Sequence, residues 1–331
     1  MQNRPNSLKL LYICSSQFSG STLTSFLLNL HTDIATIGHT TGWRYSEDED
    51  FRCSCGEKIG DCDLFTEIET QFNLNNLEYS PRNFGTAFRA VHNSRINQLM
   101  TGALPGIRSS TIEKSRDSLI NLIPAFHNRL ERQNLANLIL MRTVLKRLNA
   151  QMYLDNSHSP YRMRRLHESG QFDTYPIHLI RDPRGVCLSM MTNSGLTAEE
   201  AIGSWMRHQL AIMRIAHEVR KPLMLSYEKL CTNTNSQLAR IHRFAGLEEQ
   251  TSTGSFKSKE HHILGNQMRL KSGSVKLDER WRQDLNATQR NVVENRLRNF
   301  TRHNAEHPLS QVISDYLDKD YQEPSAPDAN T

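Results

Sequence analysis

Two short stretches of this chain combine hydroxyls, small residues and a guanidinium at spacings that suit an anion. The first is Ser15-Ser16-Gln17-Phe18-Ser19-Gly20-Ser21-Thr22. It follows Leu8 to Cys14, a short apolar run that reads as a buried strand. Beyond it Leu23, Phe26, Leu27 and Leu30 recur at i, i+3, i+4 and i+7, one face of an amphipathic helix. Gly20 lets the backbone approach a bound group closely, and the free N–H groups and dipole of the first helical turn favour an anion, usually a phosphate. Ser21 and Thr22 add hydroxyl donors. The same residues also suit an ordinary Ser/Gly-rich strand–helix connection. A Walker A loop fails in two places: the first Gly is missing, and Ser21 stands where the phosphate-bridging Lys belongs.

The second stretch is Ile177-His178-Leu179-Ile180-Arg181-Asp182-Pro183-Arg184-Gly185, running on to Ser189. The strand ends at Arg181, Asp182 is a natural N-cap and Pro183 fits the first helical position. Arg181 then projects from the C-terminal edge of the sheet, where open α/β folds bind ligands. Ser189, nearly two turns into the helix, is placed to share an anion with it. For Arg184 a surface salt bridge is the commoner fate.

Other elements must position these residues. Strand signals recur at Ile34 to Ile37, ending at Gly38, at Met152 to Asp155, at Tyr175 to Ile180 and at Leu223 to Tyr227. A long helix opens with the capping box Thr197-x-x-Glu200. Strands alternating with helices predict an α/β fold of three layers, α/β/α, around a mainly parallel sheet. Residues 64–150 read as a helical insertion or cap, punctuated at Pro81, Gly85, Pro105 and Pro124. The expectation is a single domain over 1–331 with a disordered tail at 322–331. Trp205 and Trp281 fall in helical patterns and read as core.

Composition bounds the function. The 331 residues are 37% hydrophobic and 23% charged, enough to bury a sizeable core and too apolar for a disordered chain. No apolar run approaches the roughly 18 residues of a membrane span. The stretch Met1 to Leu11 lacks the features of a signal peptide, so a cytosolic setting is expected. Forty Lys plus Arg against 35 Asp plus Glu gives +5, which suits a pocket for a small anion better than a nucleic-acid surface. Six Cys are too few for a disulfide scaffold. Cys53, Cys55 and Cys62 cluster, one ligand short of a structural zinc site unless a nearby His or a distant Cys completes it. A local disulfide or free thiols are the other readings, and no metal is expected.

Together these motifs resemble the sulfotransferase superfamily, which uses 3′-phosphoadenosine 5′-phosphosulfate (PAPS) on a P-loop NTPase-like fold. Phe18-Ser19-Gly20-Ser21-Thr22-Leu23 is similar to the family's 5′-phosphosulfate loop, basic-S-G-[ST]-T. Ile180-Arg181-Asp182-Pro183-Arg184 through Ser189 resembles its 3′-phosphate motif. Asp155-Asn156-Ser157-His158-Ser159-Pro160 is similar to its D-S-S-K-x-P segment, and Ser226-Tyr227-Glu228-Lys229-Leu230 to its R-Y-E-D-L segment. The resemblance covers about residues 8–62 and 151–285 and leaves the helical block unexplained.

The resemblance implies that Ser19, Gly20, Ser21 and Thr22 hold the 5′-phosphosulfate and that Arg181 and Ser189 hold the 3′-phosphate. A hydroxyl or amine of a small molecule, glycan or peptide would accept the sulfuryl group, and the scheme needs no metal. The family's basic residue before S-G-[ST] is Phe18 here, and its D-S-S-K lysine is His158, a donor when protonated. Relatives that sulfate protein tyrosines carry an acidic residue after the Gly of the second strand. Here that place is His39, an imidazole able to serve as general base near neutral pH. Gly265, Asn266 and Arg269 resemble a loop that closes over the nucleotide, although a plain solvated basic loop fits them equally. Two alternatives stay open: a P-loop kinase, disfavoured by the missing Lys, and a catalytically silent nucleotide-binding protein, which Phe18 and His158 keep in play.

Overall fold

A computed structural model describes residues 7–42, 51–102, 104, 109–251, 263 and 274–318. Five parallel strands form its sheet: β1 (Leu8–Cys14), β2 (Ile34–Ala35), β3 (Met152–His158), β4 (Phe172–Ile180) and β5 (Leu223–Ser226), in the order β2-β3-β1-β4-β5. Alternation along the strands feeds two cores. Leu10, Tyr12 and Cys14 of β1 join Tyr153 of β3 on one face; Leu11 and Ile13 join Met152 and Leu154 on the other. A sheet with both faces buried needs helices on both sides, which is the three-layer α/β/α arrangement expected.

The strand boundaries differ from expectation in two informative places. β2 is only two residues long and pairs with β3 alone. β3 runs three residues past Asp155, and its register against β1 shifts: Tyr12 pairs with Asp155, but Cys14 pairs with His158. One extra residue on β3 makes a bulge, and bulges re-aim side chains at strand ends. His158 takes φ 65°, a left-handed conformation rare outside glycine.

The helical block consists of Asp63–Leu74, Ser94–Thr101, Ser110–Asn121 and Pro124–Arg147. Phe65, Ile68 and Phe72 pack with Leu140, Met141 and Val144 in the core on the Tyr12 side of the sheet. The helix Ser110–Asn121 is held differently, by buried charge. Fully buried Glu113 accepts two hydrogen bonds from Arg214, at 2.8 and 2.9 Å, and one from the Tyr161 hydroxyl at 3.1 Å. Arg164 pairs with both Glu113 and Asp117. Buried ions persist only when paired in this way.

By compactness the chain divides into two units. One takes in residues up to Ser15, Ser19–Ile180 and Ala211–Leu277, and holds the sheet and the helical block. The other takes in Ser16–Phe18, Arg181–Leu210 and the chain from Asp278 onward. Within the second unit Asp182 caps the helix Pro183–Ser194 and Pro183 opens it, as its sequence predicts. Thr197 and Glu200 form the expected capping interactions. Trp205 and Trp281 are core residues, as expected.

Arg184 departs from its surface reading. It is 1% exposed, pairs with Asp182 and Glu294, donates to the Tyr316 carbonyl and lies 3.9 Å over the Trp281 ring. A guanidinium with this many partners is structural. No helix among the described residues is long and apolar enough to cross a membrane. The tail expected to be disordered, 322–331, lies outside the described residues.

Candidate active site

At the C-terminal end of β1 the chain turns through Ser15–Gly20 into the helix Ser21–Leu28, every residue of which is buried. Gly20 caps that helix with φ 89° and, having no side chain, makes no capping bond to its first N–H groups. A helix start of this kind offers its orphan donors and its dipole to an anion. Gly20 is constrained twice. A Cβ there would sit in the left-handed region and only 2.4 Å from Cδ2 of Tyr227. Tyr227 belongs to the segment Ser226–Leu230, so the fourth motif packs directly under the first.

The β3 bulge delivers His158 to this loop. Its Nδ1 lies 2.7 Å from Ser15 Oγ and its Nε2 lies 3.5 Å from Ser21 Oγ, so one imidazole touches both ends of the turn. His39 follows Gly38, which takes φ 75°, and its ring centroid is 4.9 Å from that of His158. Burial pulls the His39 imidazole down to about 4, against an upward pull from Asp155 and a smaller downward one from Arg162. His39 is therefore neutral at physiological pH and able to accept a proton. Behind this pair, buried Asp155 accepts hydrogen bonds from Arg162 at 3.0 and 3.1 Å and from the Ser157 N–H at 2.8 Å, fixing the strand end that carries His158.

In the second unit Arg181 is 7% exposed. It donates to the Phe18 carbonyl at 2.9 Å and to the Asp278 carbonyl at 3.0 Å, and pairs with the Asp278 carboxylate at 3.1 Å. Hydrogen bonds from Arg280, with the Arg181 charge adding, hold that carboxyl far below the usual range. Phe18 itself takes φ 60°. Arg181 and Ser189 each have a contact at Gly185. A Cβ on Gly185 would meet Arg181 Nε at 3.3 Å, and Ser189 Oγ donates to the Gly185 carbonyl at 3.0 Å.

The structure thus links Ser21 to His158 and His158 to His39, while Arg181 and Ser189 each have a contact at Gly185. Ser19 and Thr22 are buried beside Gly20 in the chain. Gly265, Asn266 and Arg269 lie outside the described residues. Sequence reasoning missed Ser15, Tyr227 and Asp278. Ser15 meets His158 through the register shift of β3 against β1, which no local sequence pattern marks. It also missed a cavity of about 370 Å³ lined by Thr41, Phe88, His92, Asn97, Ser157 and Arg162, among others. Ser157 is the chain neighbour of His158, and its hydroxyl has no hydrogen-bond partner in this structure.

A family model described as "Sulfotransferase domain" matches residues 9–307. The chain belongs to the sulfotransferase family. Membership makes this sulfotransferase a transferase by class. Among solved structures it is similar to the sulfotransferase domain from the curacin biosynthetic pathway, at 13% identity over 87% of this chain and 97% of that one, with a TM-score of 0.47. The sulfotransferase domain of the olefin synthase of Synechococcus PCC 7002 shares 18% identity over 89% of this chain and 96% of that one, at 0.43. Sulfotransferase STF1 from Mycobacterium tuberculosis H37Rv shares 12% over 73% and 68%, at 0.39. No curated protein matches the chain significantly.

Proposed function

We propose that this sulfotransferase moves a sulfuryl group from PAPS to a hydroxyl or amine acceptor and releases adenosine 3′,5′-bisphosphate. The observation that carries the reading is the buried helix start capped by a glycine, Gly20, with His158 against Ser21 and His39 against His158. Bound there, PAPS supplies an activated sulfuryl group on a phosphate leaving group. The backbone of Ser19–Thr22 holds the 5′-phosphosulfate by donated N–H bonds, and the hydroxyls of Ser21 and Thr22 orient it. Arg181 and Ser189 hold the 3′-phosphate. His39 takes the acceptor proton as the acceptor–sulfur bond forms. His158, when protonated, donates to the bridging oxygen as its bond to sulfur breaks. The proton count closes within the pair, and no metal enters these steps.

The cavity beside Ser157 is our candidate for the acceptor. Its walls come largely from residues 87–102, within the helical block that the family motifs leave unexplained. Phe18 in the position of a basic residue favours a second reading, a protein that binds the nucleotide without turnover. Incubation with ³⁵S-labelled PAPS and pooled hydroxyl and amine acceptors separates the two. Label on an acceptor, lost in His39→Ala, supports transfer. Tight bisphosphate binding with no labelled product across the pools supports the silent binder.

A further inference from the structure

Cys53, Cys55 and Cys62 stand apart from the residues assigned to transfer, and we propose that they bind one zinc ion as three thiolate ligands of a structural site. Their sulfurs all lie within 4.8 Å of one another, the single cluster of three or more potential metal donors among the described residues. Cys55 Sγ and Cys62 Sγ are 3.8 Å apart. A tetrahedral zinc with Zn–S bonds of about 2.3 Å sets its sulfurs about 3.8 Å from each other, so this pair already has the spacing of a tetrahedron edge. A disulfide would draw two sulfurs to about 2.05 Å and leave the third without a role.

The backbone is shaped to aim these sulfurs. Arg52 and Lys58 pair as an antiparallel bridge, the Cys53 N–H donates to the Glu57 carbonyl at 2.9 Å, and the Gly56 N–H donates to the Cys53 carbonyl at 3.0 Å. Gly56 takes φ 103°, which closes the turn. Two amides then point at sulfur, that of Cys55 at Cys53 and that of Glu57 at Cys55. Such outer hydrogen bonds orient thiolate ligands and stabilise their charge. Cys62 is the N-cap of the helix Asp63–Leu74 and makes no side-chain capping bond, a position whose dipole suits a thiolate.

Shelter and anchoring complete the argument. Cys53 and Cys62 are buried. Ser54, between the first two ligands, is also buried and accepts a 2.7 Å hydrogen bond from the Ile263 N–H, which fixes the turn to a distant part of the chain. Counting ligands in sequence set metal aside because three cysteines fall one short. One pair of sulfurs at tetrahedron-edge spacing, with the third within 4.8 Å of both, favours the metal instead, with the fourth position left to a lighter donor. Each coordinating thiol gives up one proton to solvent on binding, no electron moves, and the ion ties the turn to the start of the helical block.

The test is metal analysis of the purified full chain after incubation with zinc and desalting. About one zinc per chain is expected. X-ray absorption at the zinc edge should show three sulfurs at about 2.3 Å and one lighter neighbour. Cys62→Ser should lose most of the metal and melt at lower temperature, whereas Cys231→Ser should keep it. Should Cys62→Ser fail to fold, cobalt titration of the wild-type chain gives the same answer through thiolate charge-transfer bands and tetrahedral visible bands. A chain that retains no zinc, shows no thiolate bands with cobalt, or carries a disulfide among the three cysteines overturns the proposal.

Discussion

His39 is where sequence and structure disagree most usefully. Read as a sequence position, it is an imidazole that titrates near 6.5, with activity rising to a plateau at neutrality. Burial instead holds it at about 4. Since kcat/KM reports the free enzyme's base, its acid limb should stay flat from neutrality down to about 5 and fall only toward 4. His39→Ala should lower kcat by roughly 10²–10⁴ and leave bisphosphate affinity unchanged. The sharper variant is His39→Glu. The burial that pushes an imidazole down pushes a carboxyl up, and Asp155 pushes it further, so the limb should move to higher pH than in the wild type. A limb near 6.5 that ignores both substitutions would remove His39 from the chemistry. Titration profiles of the three proteins decide it.

Among elements, those with local signals were legible and those set by tertiary contacts were not. β1 with its helix, and β4 with the Asp182 cap and Pro183, carry their boundaries in the residue types at the junctions. The bulge that turns His158 onto Ser15 has no such signal, because it depends on register against β1. The helix Ser110–Asn121 was illegible for another reason. Hydropathy reads Glu113 and Asp117 as outward facing, yet both are buried against Arg164, and Glu113 against Arg214 as well. The packing at Gly20 was not legible in sequence: the Tyr227 ring excludes a side chain there whether or not a ligand is bound. Gly20→Ala should therefore lower the melting temperature by several degrees without nucleotide present, beyond the roughly 1 kcal/mol cost of a left-handed alanine. An alanine variant with wild-type melting and bisphosphate affinity would contradict this packing.

At the scale of the whole molecule, two buried histidines predict how the protein responds to acid. His39 and His242 are both lowered to about 4, by burial in each case and for His242 also by the charge of His31, whose ring is 4.5 Å away. Unfolded, each titrates near 6.5. Between those values the unfolded chain binds more protons, so the stabilisation is complete above about 6.5 and is lost as pH falls toward 4. Carboxylates lowered by their partners, Asp278 by Arg280 first among them, keep their contribution until the pH drops below about 4. Thermal melts should therefore decline from pH 7 to pH 5, before the carboxylates titrate, and His242→Gln should flatten that slope. A melting temperature constant from pH 7 to pH 5 would contradict the neutral, buried assignment.

The division into two compact units was invisible in sequence, because Ser16–Phe18 joins the unit of Arg181 through tertiary contacts, Arg181 donating to the Phe18 carbonyl and Gln209 to Ser16 Oγ. The Arg181–Phe18 bond also changes what an Arg181 variant reports, since Arg181→Ala removes loop support along with the proposed phosphate contact. The direct test of the donor assignment is calorimetric titration of the wild-type protein with adenosine 3′,5′-bisphosphate and with ATP. The account predicts clearly tighter binding of the bisphosphate, with Arg181→Ala and Ser189→Ala each reducing that preference and Arg181→Ala weakening the bisphosphate by at least about tenfold. Equal affinity for the two nucleotides in the wild type, or a preference that survives both substitutions, would contradict it.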